Sequence, residues 1–130
     1  MSDVQNHPLR SLERVALVAI GGFAGSNLRY FVDLLVGGLG ATLVVNAAGS
    51  FALGLLVYGV ADSEALAPET RSVLATGFLS SLTTYSTFAL ETVQSTPLWF
   101  LANVVASYAL GFAGVLAARV VVTALHRRGN

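Results

Sequence analysis

No cysteine occurs anywhere in the 130 residues, which removes a disulfide framework, a thiol nucleophile and any thiolate metal site. Charge is almost as scarce: 11% of residues are charged, where a soluble domain carries roughly a quarter. Seven basic residues balance seven acidic ones, and a net charge of zero gives no electrostatic footprint for nucleic acid. The two histidines, His7 and His126, lie in the polar tails, so neither is placed as a buried ligand. No histidine or lysine falls inside an apolar segment, and the many serines and threonines therefore lack a base to activate them. Nor does a pair of carboxylates sit deep in such a segment, since Asp33 and Glu91 each fall near a segment end. An enzyme is excluded on inventory.

What the chain has in quantity is apolar residues, 55% of the total. They collect in four segments with little or no charge, residues 15–36, 39–60, 72–90 and 96–118. Each meets the roughly 20 residues that a helix needs to cross a bilayer. The fold class expected is an all-α membrane protein of four transmembrane helices in one domain, residues 14–123. A polar tail at residues 1–13, interrupted by Pro8, precedes it, and a basic stub at residues 124–130 follows. The first segment starts too late and holds too much glycine and charge for a cleaved signal peptide. Connections fall near residues 37–40, 61–71 and 91–97, the second acidic through Asp62, Glu64 and Glu69. Gly21-Gly22-Phe23-Ala24-Gly25 has no strand before it and no lysine after it, so helix contact explains it better than a nucleotide loop. Four helices of this length are too few to enclose a solvated pore, which points to an oligomer.

The third segment is the unusual one. In Ser80-Ser81-Leu82-Thr83-Thr84-Tyr85-Ser86-Thr87, seven of eight residues carry a hydroxyl, without one charge, in the middle of an apolar run. Unpaired polar groups in hydrocarbon cost several kcal/mol, so such a cluster belongs where helices pack or where a wet path opens. Tyr85 and Phe88, three apart, share a helical face there. An aromatic ring has a negative face and a positive edge, so the pair either packs ordinarily or lines an anion path with its edges. An internal echo joins the second and fourth segments: Asn46, Ser50 and Gly54 repeat as Asn103, Ser107 and Gly111, each set along one helical face. The small residues fit close helix packing, whereas Asn46 lies well inside its segment and its amide needs partners. Arg29 and Asp33, four apart, either neutralise each other at a helix end or leave Arg29 at a vestibule that attracts anions.

These motifs resemble the CrcB/Fluc family of fluoride channels. The matches are Gly21-Gly22-(x2)-Gly25-(x3)-Arg29, then Ala41-Thr42-Leu43-Val44-Val45-Asn46-(x2)-Gly49-Ser50-Phe51-(x2)-Gly54, then Gly77 through Phe88 with Glu91, and finally Asn103 and Ser107. The resemblance implies an antiparallel dimer with two pores, its third helix broken near the membrane centre, embedded in the lipid bilayer. It implies a fluoride path of Asn46, Thr84, Tyr85, Phe88 and Ser107, with Arg29 at a pore mouth. It also implies a structural sodium ion held by the backbone carbonyls of Ser80 and Thr83. Two positions depart from the family pattern: Tyr85 stands where phenylalanine is usual, and Ser80-Ser81 where Gly-Gly, or glycine with another small residue, is usual.

The function implied is passive, fluoride-selective efflux that lowers the toxicity of cytoplasmic fluoride. One rival is a small proton-coupled multidrug transporter, which needs a membrane-embedded carboxylate, whereas the first segment has only Asp33, near its end and four residues from Arg29. The other is a non-transporting structural subunit, which has no need of the hydroxyl cluster. Arg10, Arg14, Arg71, Arg119, Arg127 and Arg128 fall on the side of the termini, against Arg29 alone on the other. That bias predicts cytoplasmic termini in the cell membrane, and hence a partner of opposite orientation that is a paralogous chain more readily than a second copy.

Overall fold

The computed structural model describes residues 8–60 and 66–129; residues 1–7, the loop residues 61–65 and Asn130 lie outside the described residues. All regular structure described is helical, and four stretches are long and apolar enough to cross a membrane. Helix α1 (Pro8–Val36) opens on its proline, a residue suited to a first helical turn because its missing N–H has no intrahelical partner there. Pro8 therefore starts the helix and does not interrupt a tail, and residues 8–13 are helical. The chain then turns through Gly37 into α2 (Gly38–Val60), with φ of 73° at Gly37 and 53° at Gly38. Side chains rarely tolerate those values, so glycine makes a one-residue connection possible where the sequence indicated four residues.

The third crossing, Pro68–Gln94, is not one helix. It begins as α3 (Pro68–Ser72), widens into a π-helix over Val73–Leu79, narrows again as α4 (Ser80–Leu82), stops, and resumes as α5 (Ser86–Gln94). The wide turn is visible at Ser80, whose N–H reaches the carbonyl of Ala75, five residues back. The last helix, α6 (Pro97–Gly129), has 33 residues, about 50 Å of rise against a hydrocarbon core of about 30 Å. It carries the basic end, residues 124–129, as continuous helix, because each added residue closes a backbone bond once the helix exists.

Two seams hold these pieces together, both made of small residues. Helix α1 lies along the π-helix with backbones touching: a Cβ on Gly21 would stand 2.6 Å from the Val73 carbonyl, and one on Gly77 the same distance from the Val18 carbonyl. The glycine-rich stretch of α1 is thus a helix contact. Helices α2 and α6 run in the same direction, Gly114 against Ala47, Gly54 against Ala118 and Gly59 against Val122. Close approach through small residues is how helices associate in lipid, where burying apolar surface gives no gain. The buried core is correspondingly small, Val45, Leu79 and Leu82 flanked by Val32, Ala52, Leu56 and Phe78. Large apolar side chains face outward instead, among them Phe112 at 69% exposure and Val120 at 67%. A surface of that kind suits hydrocarbon or another chain.

Candidate functional site

The site is built around the gap between α4 and α5. Thr83 leaves the helix with φ −78° and ψ 158°, while its N–H and its Oγ1 still reach back to the Leu79 carbonyl at 3.0 and 2.9 Å. Thr84 is then held by a side chain from another helix. Its N–H donates to Asn46 Oδ1 at 2.8 Å, and Asn46 Nδ2 donates to its carbonyl at 2.9 Å. The amide of Asn46 so replaces both helical partners of one residue, which is why an asparagine is tolerated at this depth. Because the Thr84 N–H goes to Asn46, the Ser80 carbonyl four residues earlier loses its usual donor. Thr84 Oγ1 accepts the Thr87 N–H at 3.2 Å and donates to Thr87 Oγ1 at 3.0 Å, which caps the start of α5.

The break therefore sets a helix end rich in free carbonyls beside a helix start rich in N–H groups. The first favours a cation and the second an anion, an arrangement that discontinuous membrane helices use for ions. Serine at positions 80 and 81 does not impede it. Ser80 sits at φ −67° and ψ −24°, no described non-glycine residue has positive φ, and its hydroxyl donates to the Thr76 carbonyl. The turn is made two residues after Ser81, at Thr83, where glycine's freedom is not required.

An open cleft of about 470 Å³ runs along the break. Helix α2 supplies Asn46, Gly49, Ser50 and Leu53, the third crossing Ser80, Thr83, Thr84, Tyr85 and Phe88, and α6 Ser107 and Tyr108. All five residues expected on the fluoride path and both expected sodium positions line it together, and among the described residues no charged side chain does. The rings of Tyr85 and Phe88 stand 6.0 Å apart at 46°, and Tyr85 is 77% exposed. Arg29 lies elsewhere, in a smaller cavity of about 260 Å³ with Asp33, Thr42, Thr87 and Glu91; Thr84 borders both spaces. Four-residue spacing offered Arg29 an ion pair with Asp33, and no such pair forms among the described residues. The guanidinium instead donates to the Thr83 carbonyl at 3.4 Å, so a cation on α1 faces the break itself. The carboxylate Oε2 of Glu91 is buried without a hydrogen-bond partner.

Sequence reading misses Thr92, which is 4% exposed and accepts a hydrogen bond from Asn103 Nδ2 at 2.6 Å. The two are eleven residues apart across a helix junction, where no periodic rule pairs them. It leaves Ser50 open between helix packing and a place on the path, and Ser50 lines the cleft.

A bilayer-spanning chain with four crossings, one of them broken, and an uncharged cleft of hydroxyls, amide and rings at the break defines a small multi-pass membrane protein of the ion-path class. Comparison with known proteins is specific. Residues 16–121 match the family described as CrcB-like protein, Camphor Resistance (CrcB), and the chain belongs to that family. It is 64% identical to fluoride-specific ion channel FluC 1 of Haloarcula marismortui, covering 89% of this chain and 91% of that protein. It is 50% identical to fluoride-specific ion channel FluC 2 of Halobacterium salinarum, over 88% and 91% respectively. Fluoride-specific ion channel FluC 2 of Methanosarcina mazei shares 34% identity over 93% and 96%.

Proposed function

We propose that this chain is a subunit of a passive, fluoride-selective channel that lets cytoplasmic fluoride leave the cell. The observation that carries the reading is the cleft at the break, which gathers hydroxyls, an amide and two aromatic rings and, among the described residues, has no charged side chain on its wall. Fluoride is small and holds its water tightly, so a path must replace that water with closely spaced donors. A fixed positive charge on the wall would bind the ion too firmly to release it. Asn46 has two amide N–H donors and uses one on Thr84, which leaves one for an ion. The Ser107 hydroxyl and the Tyr85 and Phe88 edges extend the row, and the N-terminal end of α5 adds its positive dipole. Arg29, in the adjoining cavity, raises the local concentration of anions without standing in the path. Neutral hydrogen fluoride crosses lipid and dissociates inside, so a passive exit for the anion needs no energy source.

The donor set at the break fits sodium. Ser80 and Thr83 offer neutral main-chain oxygens, the Ser80 carbonyl freed by the Asn46–Thr84 bond and Ser80 itself exposed. Arg29 occupies one of the two lone pairs on the Thr83 oxygen and leaves the other. A bound sodium ion would hold these carbonyl ends together, and those of a partner with them. The exposed apolar surface and the open cleft support an antiparallel dimer in which the partner covers the cleft, with termini of this chain cytoplasmic. Single cysteines at the two termini should label from one membrane face only; equal labelling from both faces overturns the fixed orientation.

Efflux from proteoliposomes read with a fluoride electrode tests the function. Expected are fluoride flux without ATP, far above chloride flux, and loss of most of that flux when N-methyl-D-glucamine replaces sodium on both sides. Phe88→Ile should cut the flux at least tenfold with normal folded yield, because it removes a ring edge and keeps an apolar side chain. Tyr85→Phe should change it little, since the Tyr85 hydroxyl makes no hydrogen bond among the described residues and the ring is kept. Equal chloride and fluoride flux sinks the selectivity reading, and a native rate in Phe88→Ile removes the ring from the path.

A further inference from the structure

Helix α5 is nine residues long and carries Phe88 in its first turn. A helix that short is marginal on its own, so bonds from neighbouring elements must set where it lies. The break leaves its start without a preceding helical turn, and Ser95-Thr96 separates its end from α6. Thr84, Phe88 and Thr92 are spaced by four and lie along one face. At the leading end of that face Asn46 of α2 holds Thr84 by two hydrogen bonds. At the trailing end Asn103 of α6 holds Thr92: its Nδ2 donates to Thr92 Oγ1 at 2.6 Å, and that hydroxyl donates to the Phe88 carbonyl at 2.5 Å. Asn103 is 3% exposed and does not line the cleft, yet its Oδ1 accepts a long hydrogen bond, 3.5 Å, from the hydroxyl of Ser107, which does.

The sequence echo between α2 and α6 thus has a physical counterpart. Each asparagine of the repeated pattern grips a threonine of α5 or of its entry, one at either end, and Phe88 lies between the two grips. We infer that Asn103 is a positioning residue which, acting through Thr92, fixes the trailing end of α5 and thereby the place of the Phe88 ring in the cleft. Its burial and the absence of contact with the cleft exclude a direct role at the ion. A buried amide and hydroxyl paired at this distance strongly favour one arrangement, because any shift of α5 away from α6 takes from the buried Asn103 Nδ2 its Thr92 acceptor. The consequence for transport rests on the fluoride-channel reading, whereas the placement of the ring does not.

The test uses the full-length protein with 4-fluorophenylalanine at position 88, whose fluorine resonance reports the ring's surroundings whether or not any ion passes. Thr92→Val keeps the shape and removes the hydroxyl, Thr92→Ser keeps the hydroxyl, and Asn103→Leu removes the amide. Thr92→Val and Asn103→Leu are expected to move the resonance, the double variant to move it no further than either alone, and Thr92→Ser to restore the native position. Residues that act as one unit show that lack of additivity. Without the label, fluoride flux should fall about tenfold in Thr92→Val and Asn103→Leu, the loss of roughly one buried hydrogen bond's worth of positioning, while the chloride-to-fluoride ratio rises, and Thr92→Ser should keep the native flux. A native resonance in Thr92→Val, or additive shifts in the double variant, overturns the proposal. Absence of fluoride flux from the unsubstituted protein overturns the channel reading and leaves the resonance to decide the positioning.

Discussion

Asn46→Asp should reduce fluoride flux by about a hundredfold or more, the largest loss expected from any single side chain of the cleft. Two effects act together. The Nδ2–H that donates to the Thr84 carbonyl at 2.9 Å becomes an oxygen, so two acceptors then face each other where a donor and an acceptor met. That leaves a part-buried carbonyl unpaired, at about 1–3 kcal/mol. A carboxylate also stands on the path of an anion, and two like charges about 4 Å apart repel by about 4 kcal/mol at an effective dielectric constant of 20. Together the two exceed the roughly 2.7 kcal/mol that corresponds to a hundredfold change in rate. Efflux measured with a fluoride electrode reads the result, and gel filtration separates it from misfolding. Asn46→Ser is the companion, since it keeps a donor, lacks the charge and should retain more flux. If Asn46→Asp conducts within tenfold of the native protein, the amide is neither on the path nor holding the break.

The second large effect is on folding. Gly25→Ala should destabilise the protein by about 3 kcal/mol or more, the upper range for forcing atoms into a packed contact. A Cβ at Gly25 would overlap the Phe78 carbonyl oxygen and come within 3.1 Å of the Leu82 nitrogen. Both are main-chain atoms of the third crossing, so no side chain can rotate away and α1 itself must retreat. That retreat opens the seam beside the break, and Arg29, one turn further along α1, is carried away from the Thr83 carbonyl. Gly59→Ala serves as the control, because among the described residues its Cβ would meet only Val122 Cγ2 at 3.6 Å, an ordinary contact. Thermal unfolding in detergent should show a clear loss for Gly25→Ala and almost none for Gly59→Ala. Equal midpoints would mean that the α1 seam is looser than its backbone distances state.

Much of the architecture is legible in the order of residues. Four apolar segments of bilayer length announce four crossings, and seven hydroxyls in eight uncharged residues mark where water or an ion must be accommodated. The π-helix is not legible. Thr76 is the one polar side chain in Val73–Leu79, so no periodicity distinguishes five-residue from four-residue hydrogen bonding. It lies where the backbone of α1 touches through Gly21, Gly25 and Gly77. The serines at the break look less suitable than glycine, yet the backbone turns at Thr83 without any positive φ, so nothing in the geometry penalises them.

Residue type and order alone determined that the chain crosses a membrane four times and concentrates uncharged donors in its third crossing. Burial of apolar surface and the cost of unpaired polar groups depend on composition and local spacing, which a sequence displays directly. Tertiary structure alone decided which donors are used and which remain. Asn46 reaches Thr84 38 residues away, Arg29 reaches Thr83 54 residues away in place of Asp33 four residues away, and Asn103 reaches Thr92 across a helix junction. A hydrogen bond is satisfied by whichever partner packing brings within about 3 Å, and that distance is a property of the folded chain.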